Sequence, residues 1–214
     1  DKPLTATVDE AEQVAAALVD YRGTGQMTLQ NRFIPATLRA RQLIDEGRIG
    51  AVTHFRAAFL HSGSVDRTRP LNWKADLSKG GGVITDLLSH AADLLWHLLG
   101  PLEVVHAVQR VWSPRRPYLG EPARLIPDVA EDFAMAIVRT RDGAPGVIEA
   151  SKIATGAEDE LRFEIHGRYG AMRFNLMEPD YLEIYDGRLP DGPLGGRHGW
   201  QRIACVHRYP PPGG

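Results

Sequence analysis

The hydrophobic pattern near the start of the chain predicts two helices with a short strand between them. Thr7 and Glu10 have the spacing of a capping box, and apolar residues then recur at helical intervals. Segment 26–33 alternates apolar and polar residues, which predicts a short strand. Pro35 suits the first turn of a second helix that ends at Gly47.

Beyond Gly50 the apolar residues recur mostly with a period of two, which is typical of strands. Most of these segments end at Gly, Pro or Asp-Gly turn signals, and segment 139–147 is a predicted hairpin turn. The predicted strands are 51–60, 102–112, 131–140, 146–154, 161–167, 171–176, 181–187 and 200–208. Because strands this close in the chain mostly pair antiparallel, we predict an α+β fold with one large, mainly antiparallel sheet and few helices against it.

Segment 113–127 has four prolines and no hydrophobic period. A loop of this length inside a domain is commonly a functional lid or an oligomerisation arm. A disordered excursion is an equal alternative, and the sequence leaves the choice open.

Segment 80–100 is almost entirely hydrophobic, yet it carries two acids and two histidines. On a regular helix, Asp86, His90, Asp93 and His97 fall within about 60° of one another. Nearly every other direction around this helix is apolar, so we expect it to be buried on most sides. The sequence thus predicts one narrow polar stripe on a buried helix.

Three interpretations of this stripe remain open. In the first interpretation, the stripe is a solvent-facing edge with Asp86 and His90 as a weak i,i+4 pair. In the second, it is the wall of a polar cleft. In a cleft, the imidazole would transfer protons near neutral pH beside an orienting carboxylate. In the third interpretation, Asp86 and His90 ligate a metal ion such as Zn or Fe. The glycines at 80–82 either allow a close backbone approach or form a flexible helix start.

Composition narrows the class of protein. The chain has 214 residues, of which 43% are hydrophobic and 24% charged, as in ordinary globular domains. Lys plus Arg (25) nearly balance Asp plus Glu (27), so a nucleic-acid partner is not expected. No stretch reaches the roughly 18 apolar residues of a membrane span, and the single Cys205 excludes an intrachain disulfide. We expect a cytoplasmic protein with a small-molecule partner and no membrane association, and the opening at Asp1 predicts a fragment.

Three motifs in order resemble the Gfo/Idh/MocA family of oxidoreductases. The tripeptide DKP at 1–3 resembles the family's E-K-P motif, although Asp1 departs from its glutamate. Segment 31–52 resembles the family's R-x-x-P, helix and G-x-I-G stretch. Segment 80–100 resembles its G-G-G-x-x-x-D-x-x-x-H-x-x-D helix, and the later strands resemble its sheet. The resemblance covers essentially the whole chain.

The resemblance implies a domain organisation and an activity. Residues 1–32 would be the remnant of a Rossmann dinucleotide-binding domain. Residues 33–214 would be a C-terminal α/β domain, with an open sheet, helices on one face, and roles in substrate binding and homo-oligomerisation. The implied activity is that of an NAD- or NADP-dependent dehydrogenase or reductase acting on a secondary alcohol of a sugar, cyclitol or related polyol. No G-x-G-x-x-G fingerprint occurs in the chain, so we expect the fragment alone to be inactive.

The resemblance also assigns residues. Lys2 and Pro3 would lie beside the nicotinamide, and their peptide bond can be cis. Lys2, Asp86 and His90 would be catalytic, with His90 as general base and Lys2 stabilising the developing alkoxide. Asp86 would orient His90 or hold a neighbouring substrate hydroxyl, so Asp86 and His90 would also bind the substrate.

Two further residues, Arg32 and Trp73, match substrate-cleft positions of the family less closely. A surface ion pair is the alternative for Arg32, and a place in the core is the alternative for Trp73. Asp93 and His97 would be structural. Two other functions remain open: a catalytically silent ligand sensor or regulator on the same scaffold, and a metal-dependent enzyme that uses Asp86 and His90.

Overall fold

The computed structural model describes residues 2–127 and 129–205. The α-helices within these ranges are α1 (Val8–Ala17), α2 (Pro35–Asp45) and α3 (Ser89–Leu99). The strands are β1 (Val52–Leu60), β2 (Leu102–Arg110), β3 (Pro117–Tyr118), β4 (Glu121–Leu125), β5 (Phe133–Thr140), β6 (Pro145–Ser151), β7 (Glu160–Gly167), β8 (Gly170–Asn175), β9 (Tyr181–Asp186) and β10 (Gln201–Ala204). Strands β3 and β4 form a small sheet of their own, and the others form one large sheet.

The eight-stranded sheet has the order β10-β9-β8-β7-β1-β6-β5-β2. Neighbouring strands are antiparallel except for β1 and β6, which run parallel. The chain passes through α3 between β1 and β6, since parallel neighbours need a long crossover connection. The predicted hairpin joins β5 to β6, and Gly143 in its turn has a φ of 88°, which favours glycine. The prediction of an α+β fold with a large, mainly antiparallel sheet is confirmed.

The core lies between one face of this sheet and the helices α2 and α3. Along β7 the side chains of Leu161, Phe163 and Ile165 are buried, whereas Arg162 and Glu164 alternate onto the opposite face. Helix α2 contacts β8 and β9, and α3 contacts β1 and β6. Each buried apolar side chain of this size stabilises the fold by about 1.5–3 kcal/mol. The helices therefore cover one face and leave the other face of the sheet open, as expected.

The capping box predicted for the first helix is present in α1. Thr7 Oγ1 accepts a hydrogen bond from the Glu10 amide (3.2 Å), and the Glu10 carboxylate accepts one from the Thr7 amide (3.2 Å). None of the residues of α1 is buried. Capping of its first turn is thus a local stabilisation for a helix that contributes no side chain to the core.

The strand predicted at 26–33 is wrong. Gln30–Phe33 forms a short 3-10 turn, and the residues before it belong to no strand. Phe33 is 63% exposed, whereas Asn31 is buried and its carbonyl accepts a hydrogen bond from the Thr37 hydroxyl (2.7 Å). A period of two produces a strand only where a neighbouring strand satisfies its backbone groups, and no strand among the described residues pairs with this segment.

Segment 113–127 contains β3 and β4, so the alternative of a disordered excursion is wrong. Arg116 is fully buried and donates hydrogen bonds to the carbonyls of Ser64 and Asp66. Its guanidinium also lies 3.8 Å from the Asp132 carboxylate. A buried guanidinium needs such partners to offset its loss of hydration. These contacts hold the segment against the loop that follows β1.

The Lys2–Pro3 peptide bond is cis, as the sequence analysis allowed. The strand predicted at 200–208 is observed over Gln201–Ala204, while Asp1 of the DKP motif and residues 206–208 lie outside the described residues. None of the helices in 2–127 and 129–205 has the length and apolar character needed to cross a membrane.

Candidate active site

A cleft of about 530 Å³ opens where the end of β1, the entrance to α3 and the residue after β6 meet. Lys2, Asp86 and His90 all line it, so the fold brings the three candidate catalytic residues together. A larger cavity of about 750 Å³ lies on the open face of the sheet, and none of these three residues lines it. Convergent titratable groups mark functional clefts better than size does, so we take the smaller cleft as the candidate active site.

The glycines before α3 allow a close backbone approach, and the alternative of a merely flexible helix start is wrong. A Cβ on Gly81 would lie 2.7 Å from the carbonyl carbon and oxygen of Lys74, and one on Gly82 would collide with the Glu131 carboxylate. The Gly82 amide donates to the Lys74 carbonyl (2.9 Å), which joins the two segments. Gly80 and Gly82 also have φ values of 74° and 121°, which favour glycine. This approach brings the Lys74 side chain to the helix entrance.

The helix itself is irregular at the functional residues. Ile84–Leu88 forms a π-helical turn, and regular α-helix begins only at Ser89. The regular spacing assumed for the polar stripe therefore does not hold between Asp86 and His90. Such π turns recur at functional sites because they rotate side chains out of the regular register. Asp86 and His90 line the cleft, whereas Asp93 does not.

Asp86 is an ionised carboxylate surrounded by three lysines. Its Oδ1 lies 3.3 Å from the Nζ of both Lys2 and Lys74, and its Oδ2 lies 3.2 Å from the Nζ of Lys152. Burial opposes ionisation, but the positive charges of Lys152, Lys2 and Lys74 outweigh it and lower the pKa of Asp86 to about 2. Its side chain is only 18% exposed, so the interpretation of the stripe as a solvent-facing edge is wrong at Asp86.

Lys2 reaches the cleft from the start of the chain. Its ammonium donates to the backbone carbonyl of Asp86 and to the carboxylate of the same residue. Burial lowers the pKa of Lys2, Asp86 raises it, and the neighbouring Lys74 and Lys152 lower it further, for a net decrease. The result is an ammonium group that releases a proton more readily than an ordinary lysine.

His90 is a half-buried imidazole one turn beyond Asp86. Its ring meets the Phe59 ring edge-on with centroids 5.8 Å apart, and its Nδ1 is buried with no hydrogen-bond partner in 2–127 and 129–205. Burial and the charge of Lys2 lower the pKa of His90, despite opposing contributions from Asp86, Asp93 and Asp159. At neutral pH the ring is therefore the uncharged form that accepts a proton.

Arg32 and Trp73 do not join the cleft. Arg32 binds the Asp93 carboxylate through two guanidinium nitrogens, with Nε 2.8 Å from Oδ2. The ion pair weighed as its alternative is thus present, and substrate binding by Arg32 stays a prediction without support from this geometry. Trp73 is 46% exposed, so its place in the core is wrong; it lies beside Lys2 and Pro3 in a small adjoining pocket.

The surroundings of His97, the last residue of the stripe, fit a structural role. Its Nε2 is buried without a hydrogen-bond partner in the described part of the chain. Burial lowers the pKa of His97, and the charges of Arg32 and Arg41 lower it further. Arg41 donates to the His97 backbone carbonyl (2.5 Å), which ties α2 to the end of α3.

Comparison with known proteins decides the family. A family model for the GFO/IDH/MocA C-terminal domain matches residues 37–173, more than half of the chain. The chain belongs to the Gfo/Idh/MocA family. The resemblance drawn from the motifs in the sequence is thereby confirmed.

Several relatives of this Gfo/Idh/MocA member are dehydrogenases by name. Levoglucosan dehydrogenase of Pseudarthrobacter phenanthrenivorans is 31% identical over 196 residues, which are 86% of this chain and 50% of that protein. Inositol 2-dehydrogenase of Rhizobium meliloti is 27% identical over 190 residues, which cover 87% and 52% of the two proteins. A solved levoglucosan dehydrogenase in complex with NADH and L-sorbose has a TM-score of 0.88 at 30% identity, covering 95% of this chain and 53% of that one. The chain spans about half the length of these relatives.

The surroundings of Asp86 in this Gfo/Idh/MocA member bear on the metal interpretation. Within 2–127 and 129–205, no group of three or more His, Cys, Asp or Glu side chains is placed to hold a metal ion. Both oxygens of Asp86 contact lysine ammonium groups instead. These charges repel a divalent cation from the carboxylate, so the geometry favours the proton-transfer interpretation.

Sequence reasoning missed the residues that hold the site in place. Glu131 Oε1 accepts a hydrogen bond from the Ile84 amide (2.9 Å) and so fixes the helix entrance. Burial raises the pKa of its neighbour Asp132, which also lines the cleft. Lys74 and Lys152 were not predicted because neither shares a helix or a motif with Asp86: Lys74 lies 12 residues before it, and Lys152 follows a different strand. The available signals were polar residues at strand ends, with Glu131 and Asp132 just before β5 and Lys152 just after β6.

Proposed function

We propose that this chain is the substrate-binding part of an NAD(P)-dependent dehydrogenase that acts on a secondary alcohol of a sugar, cyclitol or related polyol. The observation that carries the proposal is that Lys2, Asp86 and an uncharged His90 line one cleft together. The names of relatives, which include levoglucosan, inositol and D-xylose dehydrogenases, support this substrate class. Residues 1–32 would belong to the dinucleotide-binding domain and 33–214 to the substrate domain.

In the proposed reaction, His90 accepts the proton of the substrate hydroxyl as the carbon loses a hydride. Its lowered pKa keeps the imidazole uncharged at neutral pH, as a general base requires. Lys2 donates a hydrogen bond to the same oxygen and stabilises its developing negative charge. Asp86 holds the Lys2 ammonium in the cleft and accepts a hydrogen bond from a neighbouring substrate hydroxyl.

We propose that a nicotinamide lies against the outer side of Lys2 and Pro3, over the hollow there, which measures only about 10 Å³. The small pocket beside Lys2 and Pro3 is lined by Trp73, whose half-exposed ring offers an apolar plane, and by the glycine edge at 80–81. Bound there, the nicotinamide would supply the hydride acceptor. Solved structures of levoglucosan dehydrogenase with NADH, alone or with levoglucosan, support this cofactor class.

The test is turnover by the gene product that contains this chain. A panel of levoglucosan, inositols and pentoses is offered with NAD or NADP, and nicotinamide reduction is followed by absorbance. We expect reduction with at least one polyol, and a loss of roughly 100-fold or more in kcat for His90→Ala and Lys2→Ala. His106→Ala and Lys79→Ala, which alter residues outside the cleft, are matched controls. Unchanged turnover in both cleft variants would refute the assigned roles, and polyol binding without any reduction would favour the ligand-sensing alternative.

We also propose that the open face of the sheet mediates homo-oligomerisation. Val108, Ile137 and Val147 are exposed there by 43%, 42% and 38%. Apolar side chains grouped on an open sheet face are typical of interfaces. Sedimentation of the gene product should give an oligomer that Ile137→Asp dissociates, whereas Val8→Asp on α1, at a position that is 73% exposed, should not. A monomeric parent protein would refute this proposal.

A further inference from the structure

Two backbone hydrogen bonds fix the position of Lys152, independently of the contacts that its side chain makes. It directly follows β6, its amide donates to the Asp132 carbonyl (2.8 Å), and its carbonyl accepts from the Ser64 amide (2.8 Å). These two bonds join Lys152 to the residue before β5 and to the loop after β1. The starting point of its side chain is therefore fixed at the inner wall of the cleft.

The Lys152 ammonium has three acceptors within reach. It lies 3.2 Å from Oδ2 of Asp86 and donates to the backbone carbonyls of Lys74 and Gly82, each at 3.4 Å. An ammonium group carries three hydrogens, so these contacts use its full donor capacity. Its side chain is only 15% exposed, and a charge that is buried to this extent needs such partners.

The lysine side chains contact the Asp86 carboxylate from two sides. Lys2 and Lys74 contact Oδ1, while Lys152 contacts Oδ2. A carboxylate held from both sides cannot rotate freely about its terminal torsion. The two backbone carbonyls bound by Lys152 belong to the segments that Gly81 brings into contact, so the same ammonium also links those segments.

We infer that Lys152 is a positioning residue of the proposed dehydrogenase, acting through Asp86 to fix the carboxylate and, with it, the Lys2 ammonium. This inference rests on the proposed function. Lys152 does not act on the substrate, because its donors are committed to Asp86 and the two carbonyls. Lys74 contacts the same carboxylate, but its side chain is 50% exposed and so constrains it less.

The charged groups that face Asp86 are Lys2, Lys74 and Lys152, and Lys152 has the largest lowering effect on the Asp86 pKa. Removing its charge should therefore raise that pKa more than removing the charge of Lys74 does. Lys2 would also become a weaker acid, because Lys152 helps to lower the pKa of Lys2. Both changes are measurable without any enzyme turnover.

The experiment compares Lys152→Met and Lys152→Arg with Lys74→Met. In the chain itself, carboxyl-detected NMR follows the titration of Asp86. We expect the Asp86 pKa to rise in Lys152→Met, to stay low in Lys152→Arg, and to rise less in Lys74→Met. In the gene product, kcat of Lys152→Met should fall roughly 10- to 100-fold with little change in KM. The acid limb of the plot of kcat against pH should move to higher pH in this variant. Adding Lys152→Met to Asp86→Asn should cost little more, since the two act as a unit.

Three results would overturn the inference. The first is an unchanged Asp86 pKa in a folded Lys152→Met chain. The second is a raised KM with unchanged kcat, which would make Lys152 a substrate-binding group. The third is full additivity of Lys152→Met with Asp86→Asn. If Lys152→Met does not fold, an Asp86 pKa that rises in Lys152→Arg refutes the inference equally. The NMR result is independent of turnover, so failure of the proposed function would be recognised separately.

Discussion

Replacing Asp86 by Asn should destabilise the chain at neutral pH, because three ammonium groups then lose their counter-ion. The surroundings lower the Asp86 pKa from its ordinary value of 3.8 to about 2. Each pKa unit corresponds to about 1.4 kcal/mol, so the ionised carboxylate contributes about 2.5 kcal/mol to the free energy of unfolding. For a chain of this length the loss lowers Tm by roughly 5–10 °C.

The difference in stability between the parent chain and Asp86→Asn should depend on pH in a definite direction. The folded pKa lies below the unfolded one, so the stabilisation is complete above about pH 4 and is lost as the pH falls towards about 2. Well below that pH Asp86 is protonated in both states, and the parent chain should resemble Asp86→Asn. Asp132, whose pKa burial raises, affects both chains alike and cancels from the difference.

Urea unfolding followed by circular dichroism at about pH 7, 4 and 2.5 measures the difference. Asp20→Asn, at an exposed position, is the matched control and should unfold like the parent chain. Equal stability of the parent and Asp86→Asn at neutral pH would refute the reasoning. So would a difference that persists undiminished at the lowest pH, because the stabilisation would then not come from the carboxylate charge.

Three further predictions concern His90, Gly81 and the isolated chain. The His90 imidazole should titrate below 6.5, because burial and Lys2 disfavour its charged form; NMR of the ring protons measures this, and a higher value would contradict it. Gly81→Ala should lower the free energy of unfolding by about 1–3 kcal/mol, because the added Cβ would lie 2.7 Å from the Lys74 carbonyl. Thermal unfolding tests this against Gly63→Ala, whose Cβ meets nothing within 4 Å, and equal losses would contradict it. The isolated chain should bind NAD or NADP weakly, since it has no G-x-G-x-x-G turn; tight binding in calorimetry would contradict this.

Local elements were predictable where neighbours in the chain decide them. The capping box of α1, the proline at the start of α2 and the Asp-Gly turn between β5 and β6 all act within a few residues. The strand prediction for segment 26–33 was wrong for the opposite reason. Its alternation matched a strand, but strand formation depends on a partner elsewhere in the chain.

The candidate site shows the same division between near and distant residues. Asp86 and His90 were found together because one helix carries both, and Lys2 was found through a motif. The π-helical turn at Ile84–Leu88 was not predicted, because it depends on contacts at the helix entrance. One of these is the hydrogen bond that the Ile84 amide donates to the Glu131 carboxylate. Arg32 was assigned to the cleft, but its guanidinium pairs with Asp93.

By itself, the sequence determined the family, the mainly antiparallel sheet and the helix that carries the acid and the histidine, because periodicity and short motifs record local preferences. Only the tertiary structure decided which charges surround Asp86. The parallel pairing of β1 with β6 brings Lys152 to the cleft, and the glycine contact with Lys74 closes the other side. Desolvation and Coulomb interactions depend on distances in space, so the low pKa of Asp86 and the neutral form of His90 have no local signature in the chain.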